Sequence, residues 1–280
     1  MPLTVSAALK ESRERLAAAS DSAALDAEVW LAHVLRQPRS WLLAHPEAEL
    51  SAAAQAAHAA GLPRLAAGEP LPYLLGQWEF YGLMLQVSPA VLIPRPETEL
   101  LVEAALAWLA DHPGRRAAAD VGTGSACIPV ALAVHCPDLQ VWAGDISPEA
   151  LAVAAANVAR HGLGGRLHCI ASDLMAALPG PYDLITANLP YIPEARLPQL
   201  AVSRWEPALA LGGGPDGLRL IEPFLQQARA RLLPGGLLLA EIDASLEAAV
   251  LALAAGLWPA AAVEVRPDLA GRPRLLVVGT

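Results

Sequence analysis

The sequence predicts an α/β fold in three parts: a helical domain over residues 1–72, a β-hairpin and linker over 73–95, and a mostly parallel sheet domain over 96–280. Three observations lead there. Strand-forming and helix-forming segments alternate from Pro96 to the end, residues 1–72 carry only helical periodicity, and the stretch between is dense in aromatic and β-forming residues.

In the first part, Asp21 and Ser22 are placed to cap a helix whose apolar residues Leu25, Val29, Ala32 and Leu35 recur at three- and four-residue spacing. A second Ala-rich helix runs from Ser51 to Ala67 and ends near Gly68 and Pro70. His33, His45 and His58 are scattered, as surface or packing histidines are. From Tyr73 the run YLLGQWEFYGLMLQV reads as a hairpin turning at Gly82, and Pro89, Pro94 and Pro96 then punctuate the chain. A helix is predicted over Glu97–Leu109, a strand over Ala117–Val121, a helix to about His135, a strand over Leu139–Ala143 and a helix over Pro148–Arg160. Strands follow at Leu167–Ala171 and Tyr182–Ala187, then a helix over Gly217–Leu233, the strand LLLAEI, a further helix, and the strands AVEV and LLVVG. Alternation of this kind implies a sheet covered on both faces. The connection between the last two strands is too short for a helical crossover, so they pair antiparallel.

Composition removes several classes of function. Of 280 residues, 55% are hydrophobic and only 17% charged, so the chain can build a large core. Mean hydropathy is +0.39. The uncharged run Ala248–Val263 is nevertheless broken by Gly256 and Pro259 and falls short of the roughly 20 apolar residues of a membrane span. The N-terminus lacks the basic and apolar segments of a secretory signal, which points to the cytoplasm. Three cysteines without a CxxC pair fit a reducing compartment and offer neither a disulfide frame nor a metal site. A net charge of −9, with Lys10 the sole lysine, argues against nucleic acid as partner.

Chemistry concentrates at three places. Asp120-Val121-Gly122-Thr123-Gly124-Ser125-Ala126 ends a strand and opens a helix, where glycines admit a ligand to the backbone and free N–H groups face it. As a dinucleotide fingerprint it fails, because the third glycine position is Cys127. It fits the DxGxGxG loop of S-adenosylmethionine (SAM) methyltransferases except that Ala126 replaces the last glycine; the alternative is a Gly-rich turn without a ligand. Asp145, 23 residues after Gly122, ends the next strand, where a carboxylate accepts ribose hydroxyls. Asp173 ends the third strand and is either at an adenine edge or a helix N-cap. After the fourth strand stands Asn188-Leu189-Pro190-Tyr191, close to the (N/D)PPY motif of amino-group methyltransferases. An amide nitrogen is a feeble nucleophile because its lone pair is delocalised. The Asn188 side-chain oxygen and the Leu189 carbonyl each can accept one of its N–H groups and hold it toward a methyl donor, with the Tyr191 ring against the planar group. Leucine supplies the same carbonyl as the usual proline and, before Pro190, is held extended; what it gives up is rigidity.

Across nearly the whole chain the sequence resembles the HemK/PrmC family of protein-(glutamine-N5) methyltransferases. The resemblance is carried by GEPLPYLLGQWEFYG, VSPAVLIPRPETELLVE, DVGTGSACIPVALA, the NLPY tetrapeptide, RWEPALAL and GGLLLAEI, with the IPRPETE run the most family-specific. It implies a small N-terminal helical substrate-recognition domain, a hairpin, and a seven-stranded Rossmann-like class I SAM-dependent methyltransferase domain. It also implies SAM on Gly122, Thr123, Gly124, Ser125 and Ala126, the ribose on Asp145, and the adenine by Asp173 and Leu174. Asn188 would then touch cofactor and substrate, while Leu189, Pro190 and Tyr191 shape a slot for the Gly-Gly-Gln glutamine of class-1 peptide chain release factors. Other readings are a ribosomal-protein glutamine, a nucleic-acid base at adenine N6 or guanine N2, and a fold kept without catalysis. Arg95, Glu97 and Glu206 match family positions without a role of their own; ion pairing is one account of them.

Overall fold

Helices α1 (Val5–Leu16), α2 (Ala23–Leu35), α3 (Arg39–Ala44), α4 (Ala52–Ala66) and α5 (Leu71–Leu75) build the first of two units in the computed structural model, which describes residues 3–280. This unit runs to Gly76, and the second runs from Gln77 to Thr280. Thr4 and Ser51 cap α1 and α4 by accepting the N–H groups of Ala7 and Ala54. Ser22 stands at the start of α2 but makes no side-chain cap bond. Leu16, Leu31, Leu42 and Leu62 fill the core between these helices. The segment from Tyr73, expected to open the hairpin, instead completes α5, which Gly76 stops at φ +68°.

His58 belongs to this core. It is 3% exposed, and neither ring nitrogen has a hydrogen-bond partner among the described residues. Burial therefore pulls its pKa down; nearby Glu11 raises it and Arg15 lowers it. A folded-state pKa below the unfolded one means that the unfolded chain takes up the proton first as pH falls. Stability contributed by neutral His58 is complete above the ordinary value near 6.5 and declines below it. Thermal melts at pH 7.5 and pH 5 are expected to differ more in the wild type than in His58→Leu; equal differences would remove His58 from this account.

The second unit opens with a hairpin, β1 (Gln77–Phe80) and β2 (Leu83–Gln86), turning through Tyr81 and Gly82 at φ +51° and +73°. Positive φ at both turn positions matches the right-handed strand twist. The hairpin is part of the sheet unit rather than a free linker. Phe80 and Leu85 are buried in its core, and Gln86 exchanges backbone bonds with the fully buried Asn157 side chain at 2.6 and 2.9 Å.

Then come α6 (Glu99–Asp111), β3 (Ala117–Val121), α7 (Cys127–His135), β4 (Gln140–Asp145), α8 (Pro148–Arg160), β5 (Leu167–Ala171), β6 (Tyr182–Ala187), α9 (Ile221–Arg229), β7 (Leu232–Glu241), α10 (Glu247–Leu257), β8 (Ala262–Pro267) and β9 (Pro273–Gly279). The strands form one seven-stranded sheet in the order β5-β4-β3-β6-β7-β9-β8. The first five are parallel, and β9 runs antiparallel to both neighbours, to β8 as their short connection requires. Helix α9 is shorter than the expected Gly217–Leu233, because β7 already begins at Leu232 and carries Pro234 and Gly235, neither suited to a helix. All six residues of β6 are buried, as a central strand covered on both faces demands. The chain winds outward through β4 and β5, then returns to the other side of β3 at β6. In such sheets ligands bind outside the carboxyl ends of the strands at this switch point.

Candidate active site

A cleft enclosing about 1110 Å³ of space open to solvent lies at that switch point, lined from the ends of β3, β4, β5 and β6. Gly122 and Gly124 lead out of β3 at φ +72° and +55°, and the Gly122 and Thr123 N–H groups donate to the Gly144 carbonyl at 2.9 and 3.0 Å. An added Cβ on Gly122 would lie 2.8 Å from Leu189 Cδ2, so the loop and the tetrapeptide after β6 are in close packing. Asp145 holds the loop: its Oδ2 accepts the Gly124 N–H at 2.8 Å and its Oδ1 the Ser147 N–H at 2.9 Å.

Ala126 is fully buried, does not line the cleft and precedes α7 at φ +62°. The loop thus demands a left-handed residue where the sequence has alanine. Ala126→Gly would release about 1–2 kcal/mol of backbone strain. It would lose roughly 0.8 kcal/mol of methyl burial and 0.4–1 kcal/mol through a freer unfolded chain. Denaturant unfolding is expected to show a net change within about 1 kcal/mol of zero; a loss beyond about 2 kcal/mol would mean the methyl group matters more than the backbone.

Beneath the loop Asp120 is 1% exposed and takes the Thr186 hydroxyl at 2.7 Å on Oδ1, while its Oδ2 and the Thr123 hydroxyl have no partner among the described residues. Burial pushes its pKa up to about 6, aided by the Asp145 charge and opposed by the Thr186 hydroxyl. Two carboxylates beside one glycine loop favour a cationic ligand. Cys127 also lines the cleft, but burial and the Asp120 charge push its thiol up to about 12, so it is no nucleophile at neutral pH.

Asn188, Leu189 and Pro190 line the cleft from the end of β6. Asn188 Nδ2 donates to Thr98 Oγ1 at 3.2 Å and to Glu241 Oε2 at 3.0 Å. The Leu189 N–H and C=O make no hydrogen bond among the described residues, so its carbonyl is free to accept. Tyr191 sits elsewhere: its ring packs on the core behind the cleft and its hydroxyl donates to Glu241 Oε1 at 3.2 Å. Burial, then the Glu241 charge, raises the tyrosine pKa strongly, so it remains protonated.

Leu174 lines the cleft at φ +50°, and Asp173 stands exposed beside it in a turn rather than at a helix start. Arg95 lines the opposite side and pairs with the buried Glu206, tying the segment that carries Pro207 and Leu209 at the cleft to the Pro94–Arg95 stretch. Glu97 makes no ion pair among the described residues. Two residues with no assigned role in the sequence, Thr98 and Glu241, meet the Asn188 amide, and Thr98 also lines the cleft. Both lie in stretches that carry the family resemblance, PETE and LAEI, but nothing local marks either as part of a site.

A switch-point cleft with a left-handed glycine loop, a strand-end carboxylate and an Asn-X-Pro-Tyr turn defines a Rossmann-like methyltransferase. Residues 7–76 match the PrmC N-terminal domain and residues 97–204 the methyltransferase small domain. The chain is 44% identical to the release factor glutamine methyltransferase of Moorella thermoacetica over 97% of both chains. It is 44% identical to that of Bordetella pertussis, over 90% of this chain and 93% of the other. It therefore belongs to the HemK/PrmC family of release factor glutamine methyltransferases and is an enzyme. Solved structures share the fold: the hMettl16 catalytic domain at TM-score 0.56 (15% identity, 71% of this chain and 76% of that one) and a ribosomal protein L11 methylase from Lactobacillus delbrueckii subsp. bulgaricus at 0.51 (20% identity, 70% and 84%). Among the described residues no helix is long and apolar enough to cross a membrane.

Proposed function

We propose that the enzyme transfers the methyl group of SAM to the side-chain amide N5 of the glutamine in the Gly-Gly-Gln motif of class-1 peptide chain release factors. The observation that carries this reading is the Asn188 side chain: its NH2 group is engaged by Thr98 and Glu241, which leaves its oxygen available to accept, and the adjacent Leu189 carbonyl has no partner among the described residues. Two acceptors suit the two N–H groups of a carboxamide, and holding both orients the nitrogen and favours its pyramidalisation. SAM, when bound, supplies an electrophilic methyl group on a sulfonium. The glycine loop over the partnerless Asp120 oxygen and the Asp145 carboxylate suit such a cation and its ribose. All these residues lie in the second unit, which leaves the helical unit for recognition of the protein substrate.

Asp145→Ala is expected to weaken SAM binding by roughly 10- to 100-fold, the equivalent of one charge-assisted contact of about 1.5–3 kcal/mol. Calorimetry checks it, and unchanged affinity in the folded variant would take Asp145 out of the site. For the reaction itself, the enzyme is incubated with SAM and a purified release factor, and the digested product is examined by mass spectrometry. A Gly-Gly-Gln peptide heavier by one CH2 is expected. Methylation of nucleic acid but not of the release factor would overturn the proposal.

A further inference from the structure

We propose that Glu241 is a positioning residue that locks the Asn188 carboxamide in one orientation, and that this lock makes the site select a carboxamide over the isosteric carboxylate. The inference rests on the proposed glutamine chemistry and names the device that would enforce it. Glu241 ends β7 and is 4% exposed. Three donors converge on it: the Thr98 hydroxyl at 2.6 Å and Asn188 Nδ2 at 3.0 Å on Oε2, and the Tyr191 hydroxyl at 3.2 Å on Oε1. An ionised carboxylate only accepts, and the Thr98 proton already points at it, so Thr98 offers Asn188 a lone pair. Asn188 Nδ2 therefore meets two acceptors. Rotating the amide by half a turn would set its oxygen against the Glu241 and Thr98 oxygens with no proton between them, leaving a partly buried NH2 without a partner on that side. Burial raises the Glu241 pKa, while the Thr98 hydroxyl, the Arg274 charge and the Tyr191 hydroxyl hold it down.

The consequence falls on the substrate. With its oxygen held toward the cleft, Asn188 rewards an N–H donor and repels a carboxylate, which brings lone pairs and a negative charge. Freed from Glu241, the same amide could turn its NH2 outward and hold a carboxylate instead. A site built around one hydrogen-bond polarity discriminates strongly because the wrong ligand leaves its polar groups unpaired.

The test compares two peptides that differ only in carrying Gly-Gly-Gln or Gly-Gly-Glu. In the wild type the glutamate peptide is expected to be a poor competitor of the glutamine peptide. Glu241→Leu, which keeps bulk and removes the carboxylate, leaving Thr98 free to turn its proton toward Asn188, should lower kcat by about 10- to 100-fold and narrow the preference for glutamine over glutamate by at least ~10-fold. Glu241→Gln should restore both to within a few fold, because its carbonyl oxygen can serve Thr98 and Asn188 while its NH2 donates to the Tyr191 oxygen. A merely structural or charge-bearing Glu241 would leave the preference unmoved or make the glutamine variant behave like the leucine one, and either result overturns the inference. Should Glu241→Leu fail to fold, Thr98→Val removes one of the two acceptors and should narrow the preference in the same direction, by less. The lock is also read without any substrate. The Asn188 side-chain NH2 resonances, identified by their loss in Asn188→Asp, should be protected from exchange in the wild type and Glu241→Gln and unprotected in Glu241→Leu. Protection that survives in Glu241→Leu overturns the lock whatever the substrate proves to be, whereas a wild type inactive on both the glutamine peptide and the intact release factor overturns only the glutamine reading.

Discussion

Asn188→Ala is expected to lower kcat by about 100- to 1000-fold while changing SAM affinity by only a few fold. On the proposed reading the alanine deletes the Asn188 side-chain oxygen, and the Leu189 carbonyl alone cannot hold both N–H groups of a carboxamide. The cofactor contacts proposed at Gly122, Gly124 and Asp145 are untouched, so binding and rate should separate. The fold should persist, because Glu241 keeps the Thr98 and Tyr191 hydroxyls after losing the Asn188 amide. Single-turnover rates paired with calorimetric SAM titration measure the two effects. A variant that loses SAM binding and rate in equal measure would place Asn188 with the cofactor alone.

Gly122→Ala is the second large effect, and it acts through the backbone. At φ +72° an alanine costs about 1–2 kcal/mol. Its Cβ would also stand 2.8 Å from Leu189 Cδ2, and Leu189 is 5% exposed with little room to yield. Crowding of this kind costs about 1–3 kcal/mol, so the variant is expected to lose roughly 2–5 kcal/mol of stability. Relief by moving Leu189 displaces the carbonyl proposed to accept the substrate amide, and relief by moving the loop displaces the proposed cofactor cradle. SAM affinity should fall at least ~10-fold and residual activity should fall further. Thermal unfolding and SAM titration check both parts; wild-type values in each would show that the loop accommodates a Cβ after all.

Local chemistry made much of this protein legible in advance. Strands β3, β5 and β6 and helix α8 fall where hydrophobic run length, Pro148 and the turn residues place them, since those signals act within a few residues. Gly82 turns the hairpin and Gly122 and Gly124 take the left-handed region, both readable because glycine is the residue such backbone requires. Asn188, Leu189 and Pro190 line the cleft after β6, a placing readable from the short motif that follows a buried strand. Where Tyr73 belongs was not legible, because a single helical turn opened by Pro70 and Pro72 carries no periodicity to set it apart from a strand start. Nor was the placing of the Tyr191 ring, which the sequence alone set against the substrate and the fold turns toward the core.

Tertiary structure alone decided how Asn188 points. Thr98, Asn188 and Glu241 lie 90, 53 and 143 residues apart in their three pairings, and only the adjacency of β6 and β7, with α6 starting behind them, brings them within hydrogen-bond distance. A glutamate in LAEI carries no local sign that it will be buried, ionisable and surrounded by three donors. Asp120 is the same case, a strand-end carboxylate whose pKa the sequence leaves at its ordinary value and burial lifts to about 6. Sequence patterns record what the backbone must do over a few residues. The orientation of an amide and the charge of a buried acid depend on which distant groups the sheet order sets beside them, and those follow only once the whole sheet has closed.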